Sequence, residues 1–264
     1  MLAEMILYRL TRVEPWIDKM GYREGAVQLW SRARRQRKAW ASHTARTRDE
    51  ILDGIAACPQ RRTALILGSG VLSDVPLAEL SASFERVVLA DIVHLPTIRW
   101  RARRFPNVTL ATVDLTGVGQ ALAASADKPW PAPGSVSGHD DPTVDYVVSL
   151  NLVSQLPLTP CDRVEGALGL AEGAADDYGR AVVAAHFAHL RGFRGARVLV
   201  IGDRQRVYRD REGRVFETEE ALLGVPVPVP DTEWDWDVAP LGEADRRYSI
   251  RNRVFCVREL RDSG

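Results

Sequence analysis

The sequence predicts an α/β protein: a doubly wound, mostly parallel sheet that ends in an antiparallel strand pair and is preceded by a helical segment. Three observations carry this. Short apolar runs that stop at Gly, Asp or Asn alternate with helix-patterned stretches between residues 63 and 203. A long stretch of helical periodicity stands in front of the first run, and after residue 204 β-rich runs follow one another with no long helix between them. Strands that alternate with helices build a parallel sheet covered on both faces, whereas a strand-only tail completes such a sheet with antiparallel pairing.

In chain order, residues 24–57 read as helix, because Trp30, Ala33, Arg37, Trp40 and Thr44 recur at three- and four-residue steps and Ile51, Leu52 and Ile55 follow. Pro59 ends that pattern. TALILG, 63–68, is the first strand, a polar-capped stretch from Asp74 to Ala82 the next helix, and RVVLAD, 86–91, the second strand. An Arg-rich helical segment, 98–104, leads to NVTLATVD, which ends at Asp114. KPWPAPGSVSGHDDPT, 128–143, is too rich in Pro, Gly and Ser for a regular element. DYVVSLN, 145–151, is the fourth strand, 176–190 a helix, and ARVLVIGD, 196–203, the fifth strand. RVYRDREGRVF then reads as a hairpin turning at Glu212-Gly213, before the extended VPVPVP, EWDWDV and a last strand, NRVFCV. The organisation expected is a helical cap, 1–59, on a sheet domain, 60–264, with no clear linker between them.

Bulk composition narrows the partners. Lys plus Arg and Asp plus Glu are 35 each, so no net field draws the molecule to nucleic acid or an anionic membrane. Cys58, Cys161 and Cys256 are odd in number, far apart and in no CxxC pair, which argues against a disulfide framework and a structural zinc site and suits a reducing compartment. The N-terminal MLAEMILYRL carries Glu4 in its apolar run and lacks the features of a signal peptide, and no run of eighteen apolar residues occurs. A cytoplasmic location follows as an expectation.

The chemistry-bearing residues share a position. The first strand runs into Gly68-Ser69-Gly70, the second ends in Asp91, the third in Asp114 and the fourth in Asn151, all at strand C-termini. There an open α/β sheet keeps its ligand crevice. Glycines let backbone approach a ligand, a helix starting near Ser73 offers free N–H groups, and an acid after the second strand can accept both hydroxyls of a ribose. The arrangement suits an adenosine-containing cofactor.

At these residues the chain resembles the class I S-adenosylmethionine-dependent methyltransferases, which have a Rossmann-like fold, with LILGSG standing at their glycine-rich first motif. The resemblance spans roughly residues 60–260. It implies S-adenosylmethionine as cofactor, Gly68, Ser69 and Gly70 as the methionine-side loop, Asp91 as ribose partner, Asp114 as neighbour of the adenine amino group and Asn151 as a wall near the transferred methyl. Ile92 and Leu115, next to the two acids, belong to the same set. Two departures stand out: Ile66 replaces an acidic residue and Leu72 a third glycine.

Residues 68–73 also read as G-x-G-x-x-S, one residue from the dinucleotide fingerprint, so the glycines by themselves leave NAD(P) chemistry open, as they do a non-catalytic binding protein. The long N-terminal segment, Asp114 and the sheet-completing C-terminus favour methyl transfer. His43, in the helix before the first strand, is the one candidate catalytic side chain. His186 and His189 with Asp176 and Asp177 lack ligand spacing, and no metal is expected. NLVSQLP follows the fourth strand in place of the Asn-Pro-Pro-aromatic motif of exocyclic-amine methyltransferases, against DNA adenine as substrate. Arg32, Arg34, Arg35, Arg37, Lys38, Arg46 and Arg48 surround Trp40 and could mark RNA binding or a solvated helix face. A small-molecule acceptor is the reading preferred.

Overall fold

Every residue of strand β4 (Val144–Leu150) is buried, as its continuous run VDYVVSL requires of a strand with both faces covered. The computed structural model describes residues 2–125, 130–134, 141–169 and 175–261. Part of the Pro-, Gly- and Ser-rich segment 128–143 lies outside them. Parallel to β4 run β1 (Thr63–Leu67) on one side and β5 (Arg197–Asp210) on the other, and β2 (Arg86–Asp91) and β3 (Val108–Thr112) continue beyond β1. Two antiparallel strands finish the β5 edge: β8 (Tyr248–Val257) pairs with β5, and β7 (Thr232–Ala239) with β8. β6 (Val215–Glu220) folds back on the distal part of β5 as the hairpin expected at Glu212-Gly213, where Gly213 supplies a φ of +82°. The order β3-β2-β1-β4-β5-β8-β7 bears out the Rossmann-like sheet with an antiparallel finish. Its direction reverses between β1 and β4, which makes the C-terminal ends of these two strands the natural crevice.

One face is covered by α4 (Ala41–Ala57), α5 (Leu77–Ser83) and α6 (Pro96–Ala102), whose Ile51, Ile55, Leu80 and Ile98 join Tyr146, Val148 and Leu199 in one apolar cluster. The opposite face is covered by α9 (Asp176–Arg191), through Val183, Phe187 and Leu190 against Val147, Val198 and Val200. α1 (Leu2–Leu10), α2 (Pro15–Lys19) and α3 (Tyr22–Arg35) share the first core, to which they contribute Leu7, Ile17 and Val27. A small third cluster joins Met20, Val118, Leu122 and Val164 of α2's end, α7 (Gly119–Ala124) and α8 (Leu158–Leu168). Among the described residues no helix is long and apolar enough to cross a membrane.

Helix α4 sits closely on β4 because Gly54 has no side chain: a Cβ there would lie 2.0 Å from the Tyr146 hydroxyl, which donates to the Ile51 carbonyl at 3.2 Å. Glu50 ties the same helix to the antiparallel edge, accepting from Arg258 Nε at 2.8 Å and Thr232 Oγ1 at 2.9 Å. These contacts fix the height at which His43 stands.

Several element boundaries differ from the sequence expectation. The single helix 24–57 is two helices, broken at residues 36–40, because Trp40 turns inward to donate its indole N–H to the Val238 carbonyl at 3.1 Å and to pack edge-on against Trp236. The helix expected from Asp74 starts at Leu77, since Pro76 biases Val75 away from helical geometry. No helix N-terminus therefore stands at Ser73. β3 stops at Thr112, two residues short of Asp114, and β5 extends past Asp203 to Asp210 because β6 and β8 satisfy its backbone on both sides. Helices α1 and α2 were not legible in the N-terminal pattern.

Candidate functional site

The loop after β1 takes left-handed backbone three times, at Gly68 (φ +76°), Gly70 (φ +51°) and Leu72 (φ +58°). A Cβ on Gly68 would stand 2.5 Å from Leu152 Cγ and 2.8 Å from the Leu150 carbonyl, so this glycine lets the loop after β4 close over it. Above Gly70 nothing lies nearer than 3.8 Å, where the Leu29 side chain of α3 and the Gly68 carbonyl are found. There is thus room for a ligand beside its Cα. Leu72, at the position where a third glycine is usual, adopts the same conformation at a steric cost of about 1–2 kcal/mol and anchors its fully buried side chain in the core. Between the glycines, Ser69 buries a hydroxyl that has no partner among the described residues.

Asp91 leans back onto this loop. Its Oδ2 accepts the Gly70 N–H at 2.7 Å and its Oδ1 faces the Val93 N–H at 3.4 Å. Burial pushes the carboxyl up, and the Gly70 N–H draws it down. A carboxylate has about four acceptor positions, so two remain for hydroxyls of a ligand. Ile92, half-buried beside it, lines a cavity of about 310 Å³ together with Val13, Glu14 and Ile17 of the N-terminal segment, His94 of the loop after β2 and Thr112 of β3.

Asp114 serves its own loop: Oδ1 accepts from the Thr116 N–H at 2.9 Å and the Thr116 hydroxyl at 2.6 Å, and Oδ2 from the Gly119 N–H at 2.6 Å. It therefore acts as a cap for α7. A Cβ on Gly119 would stand 2.8 Å from the Trp16 ring and 2.9 Å from Asp114 Oδ2, so glycine there lets Trp16 lie over the acid. Burial and the Asp114 carboxylate both push the Tyr22 hydroxyl up. Leu115 is buried beneath. The N-terminal helices thus touch the loop after β1 through Leu29 at Gly70, and α7 through Trp16 at Gly119 and Lys19 Nζ, which donates to the Ala123 carbonyl at 2.5 Å.

Asn151 turns the chain after β4 with φ +50°, a conformation Asn tolerates, and its N–H donates to the Ile201 carbonyl at 2.8 Å. Its Nδ2 donates to Asp74 Oδ2 at 3.0 Å, and burial pushes the Asp74 carboxyl up to about 6. His43 Nε2 stands 3.4 Å from the same nitrogen. On its other side the imidazole accepts the Trp234 indole N–H at Nδ1, 3.1 Å, and its face stacks on Trp236 at 4.0 Å. An indole nitrogen only donates, so Nδ1 is the acceptor and the neutral ring carries its proton on Nε2. The 3.4 Å approach is then donor against donor, a contact and not a hydrogen bond. Burial draws His43 down to about 3, so the ring is neutral at ordinary pH. As placed, His43 offers an N–H donor, and taking up a proton would first require breaking the Trp234 bond.

The sequence reading did not single out Asp74, Trp234, Trp236, Asp203 or Asn252. Asp203 ends the apolar run ARVLVIGD and so carries the same strand-end signal as Asp91; the tryptophans' proximity to His43 is a product of the β7 pairing and of the seating of α4 on the sheet. His186 is buried with Nε2 2.8 Å from Ser149 Oγ. Among the described residues no group of three or more His, Cys, Asp or Glu is placed to hold a metal ion. A larger groove, about 650 Å³, lies between α1 and α3 and is lined by none of the strand-end residues.

The chain is similar to a methyltransferase of known structure. This is the 1,6-didemethyltoxoflavin-N1-methyltransferase of Burkholderia thailandensis, solved with 1,6-didemethyltoxoflavin and S-adenosylhomocysteine: 13% identity, 87% of this chain and 86% of that one, TM-score 0.39. It is also similar to DhpI in its complex with SAH (17% identity, 89% and 96% of the two chains, TM-score 0.35) and in its complex with SAM and HEP (15%, 92% and 99%, TM-score 0.37). No protein-family model and no curated protein matches the sequence.

Proposed function

We propose that the protein binds S-adenosylmethionine at the ends of β1, β2 and β3 and transfers its methyl group to a small-molecule acceptor. The observation that carries this reading is the Asp91 carboxylate at the end of β2, held by the N–H of Gly70 in the loop after β1 and left with acceptor positions to spare. The residues present fit the cofactor. The space beside Gly70 and the Ser69 hydroxyl, unpartnered among the described residues, would hold its amino-acid end, Asp91 its ribose, and Ile92, Asp114 and Leu115 its adenine. Bound there, S-adenosylmethionine supplies a methyl group on a positively charged sulfur, a leaving group already activated.

The chain then has to exclude water, orient the acceptor and take a hydrogen from it where one must leave. Residues 1–59 act as a lid: Leu29 touches the loop after β1, Trp16 and Lys19 touch α7, and His43 and Asn151 present polar groups from the lid side and the sheet side. The basic helix supports a small acceptor over RNA. Glu243 accepts from Arg35 at 2.7 Å and stands 3.7 Å from Arg32, and Arg34 lies over the Trp30 ring at 4.5 Å, so three of its cations are engaged within the protein.

The test is calorimetry of the full chain with S-adenosylmethionine, S-adenosylhomocysteine, NAD and NADP. Binding of the first two and not the nucleotides is expected. Tight NAD binding, or no binding of any of the four, overturns the reading.

A further inference from the structure

Asn151, at the edge of the crevice, and residues outside it form a ring on the sheet face that α4 covers. Asn151 Nδ2 stands 3.4 Å from His43 Nε2, and His43 stacks on Trp236 at 4.0 Å. Trp236 is paired in register with Asn252 across β7 and β8, and the Asn252 amide in turn lies against the Asp203 carboxyl of β5. Ser154 Oγ donates to Asp203 Oδ2 at 3.0 Å, and the short loop after β4 leads from Ser154 back to Asn151. Around this ring four buried polar atoms have no partner among the described residues: Asn151 Oδ1, Trp236 Nε1, Asn252 Oδ1 and Asp203 Oδ1. His43 Nε2–H is a fifth unspent group by the tautomer argument. Isolated buried groups of this kind are rare in native proteins, and several in one place call for a molecule that satisfies them.

Asp203 is the member built for a ligand. It is fully buried and sits beside a bulge, where the β5–β8 register shifts between Asp203 and Gln205; bulges re-aim side chains and gather at functional sites. Burial pushes its carboxyl up to about 6, against the pull of the Ser154 hydroxyl, Arg206 and Asn252.

Resting on the methyl-transfer reading, we propose that this ring is the acceptor subsite and takes an uncharged molecule carrying an N–H or O–H. Asp203 Oδ1 accepts that hydrogen, and the Trp236 indole N–H donates to an acceptor atom of the same molecule. The donor and acceptor inventory sets the class. An anion meets three acceptor oxygens, one of them on the Asp203 carboxylate. A cation meets the indole and imidazole N–H groups and a single carboxyl already shared with Ser154. A neutral molecule bearing both a donor and an acceptor, such as a lactam, an imide or a phenol, satisfies both sets.

The experiment is ligand-observed saturation-transfer NMR on the full chain saturated with S-adenosylhomocysteine, using 2-pyridone, uracil and phenol as neutral probes and benzoate and benzylamine as charged ones. The Trp236 indole N–H resonance is followed in parallel. Neutral probes are expected to bind and to shift that resonance, while the charged probes do neither. Asp203→Asn should weaken neutral-probe binding about tenfold, the loss of one charge-assisted hydrogen bond. Trp236→Phe, which keeps the stack on His43 and removes only the donor, should weaken it several-fold. S-adenosylhomocysteine affinity should stay within about twofold in both variants, which also reports that they are folded. If S-adenosylhomocysteine binds the wild type but the neutral probes do not bind, bind both variants as well as the wild type, or leave the indole unmoved, the ring holds buried water only and the proposal fails alone. If S-adenosylhomocysteine does not bind the wild type, the methyl-transfer reading falls and takes this proposal with it.

Discussion

The indole N–H of Trp234 donates to Nδ1 of His43 at 3.1 Å, and this one bond decides what the histidine can do. It fixes the proton on Nε2 and turns that N–H toward Asn151 and the strand ends. Trp234→Phe should release the tautomer: long-range ¹⁵N–¹H NMR is expected to show an Nε2–H imidazole in the wild type and a shift toward Nδ1–H in the variant. Unfolding in urea should show a loss of about 1–3 kcal/mol from the buried acceptor left without its donor. A wild-type ring protonated on Nδ1 would contradict the assignment.

Asp91→Ala should lower affinity for S-adenosylhomocysteine tenfold or more by calorimetry, because each hydrogen bond from a ligand hydroxyl to a charged group is worth about 1.5–3 kcal/mol. Since Asp91 also holds the Gly70 N–H, the variant should lose stability as well. Asp91→Asn, which keeps the shape and one acceptor oxygen, should lose less on both counts. Unchanged affinity in Asp91→Ala would remove the ribose role.

At Gly54 two effects of opposite sign compete. Replacing glycine inside a helix with alanine gains about 1 kcal/mol from propensity. Here the new Cβ would stand 2.0 Å from the Tyr146 hydroxyl, and overpacking a core costs about 1–3 kcal/mol. Packing wins, so Gly54→Ala should destabilise, and adding Tyr146→Phe should restore part of the loss. Urea unfolding of the two variants decides; a stabilised Gly54→Ala would show that α4 can move away from the sheet.

Asp203 makes stability depend on pH in a defined direction. Its folded carboxyl is raised to about 6 from an ordinary 3.8, so between these values the folded state holds a proton the unfolded chain has released. Stability therefore falls as pH climbs through that window and levels off above it. Asp203→Asn lacks this dependence, so its stability relative to wild type should improve by up to about 3 kcal/mol between about pH 4 and about pH 7.5. His43 and His186, both drawn down to about 3 by burial, act equally in the two proteins and cancel in the difference. A pH-independent difference would mean that Asp203 is solvated.

The sequence by itself determined the sheet and its crevice. Short continuous apolar runs and the residues that stop them are local signals, and they locate Gly68, Gly70 and Asp91 at strand ends because each strand is specified by its own few residues. Asp114 shows where local reading stops: its position is legible, but its engagement with Thr116 and Gly119 depends on the turn that follows. The break at residues 36–40 was hidden because helical periodicity runs on through it, and only the packing of Trp40 against Trp236 interrupts the backbone. The ring of His43, Trp236, Asn252 and Asp203 was decided by tertiary structure alone. Its members are as far as 209 positions apart, Asn252 less His43, and meet because β8 inserts between β5 and β7 while Gly54 lets α4 settle on β4. Strand order and helix height are set by long-range pairing and close packing, and neither leaves a period in the sequence.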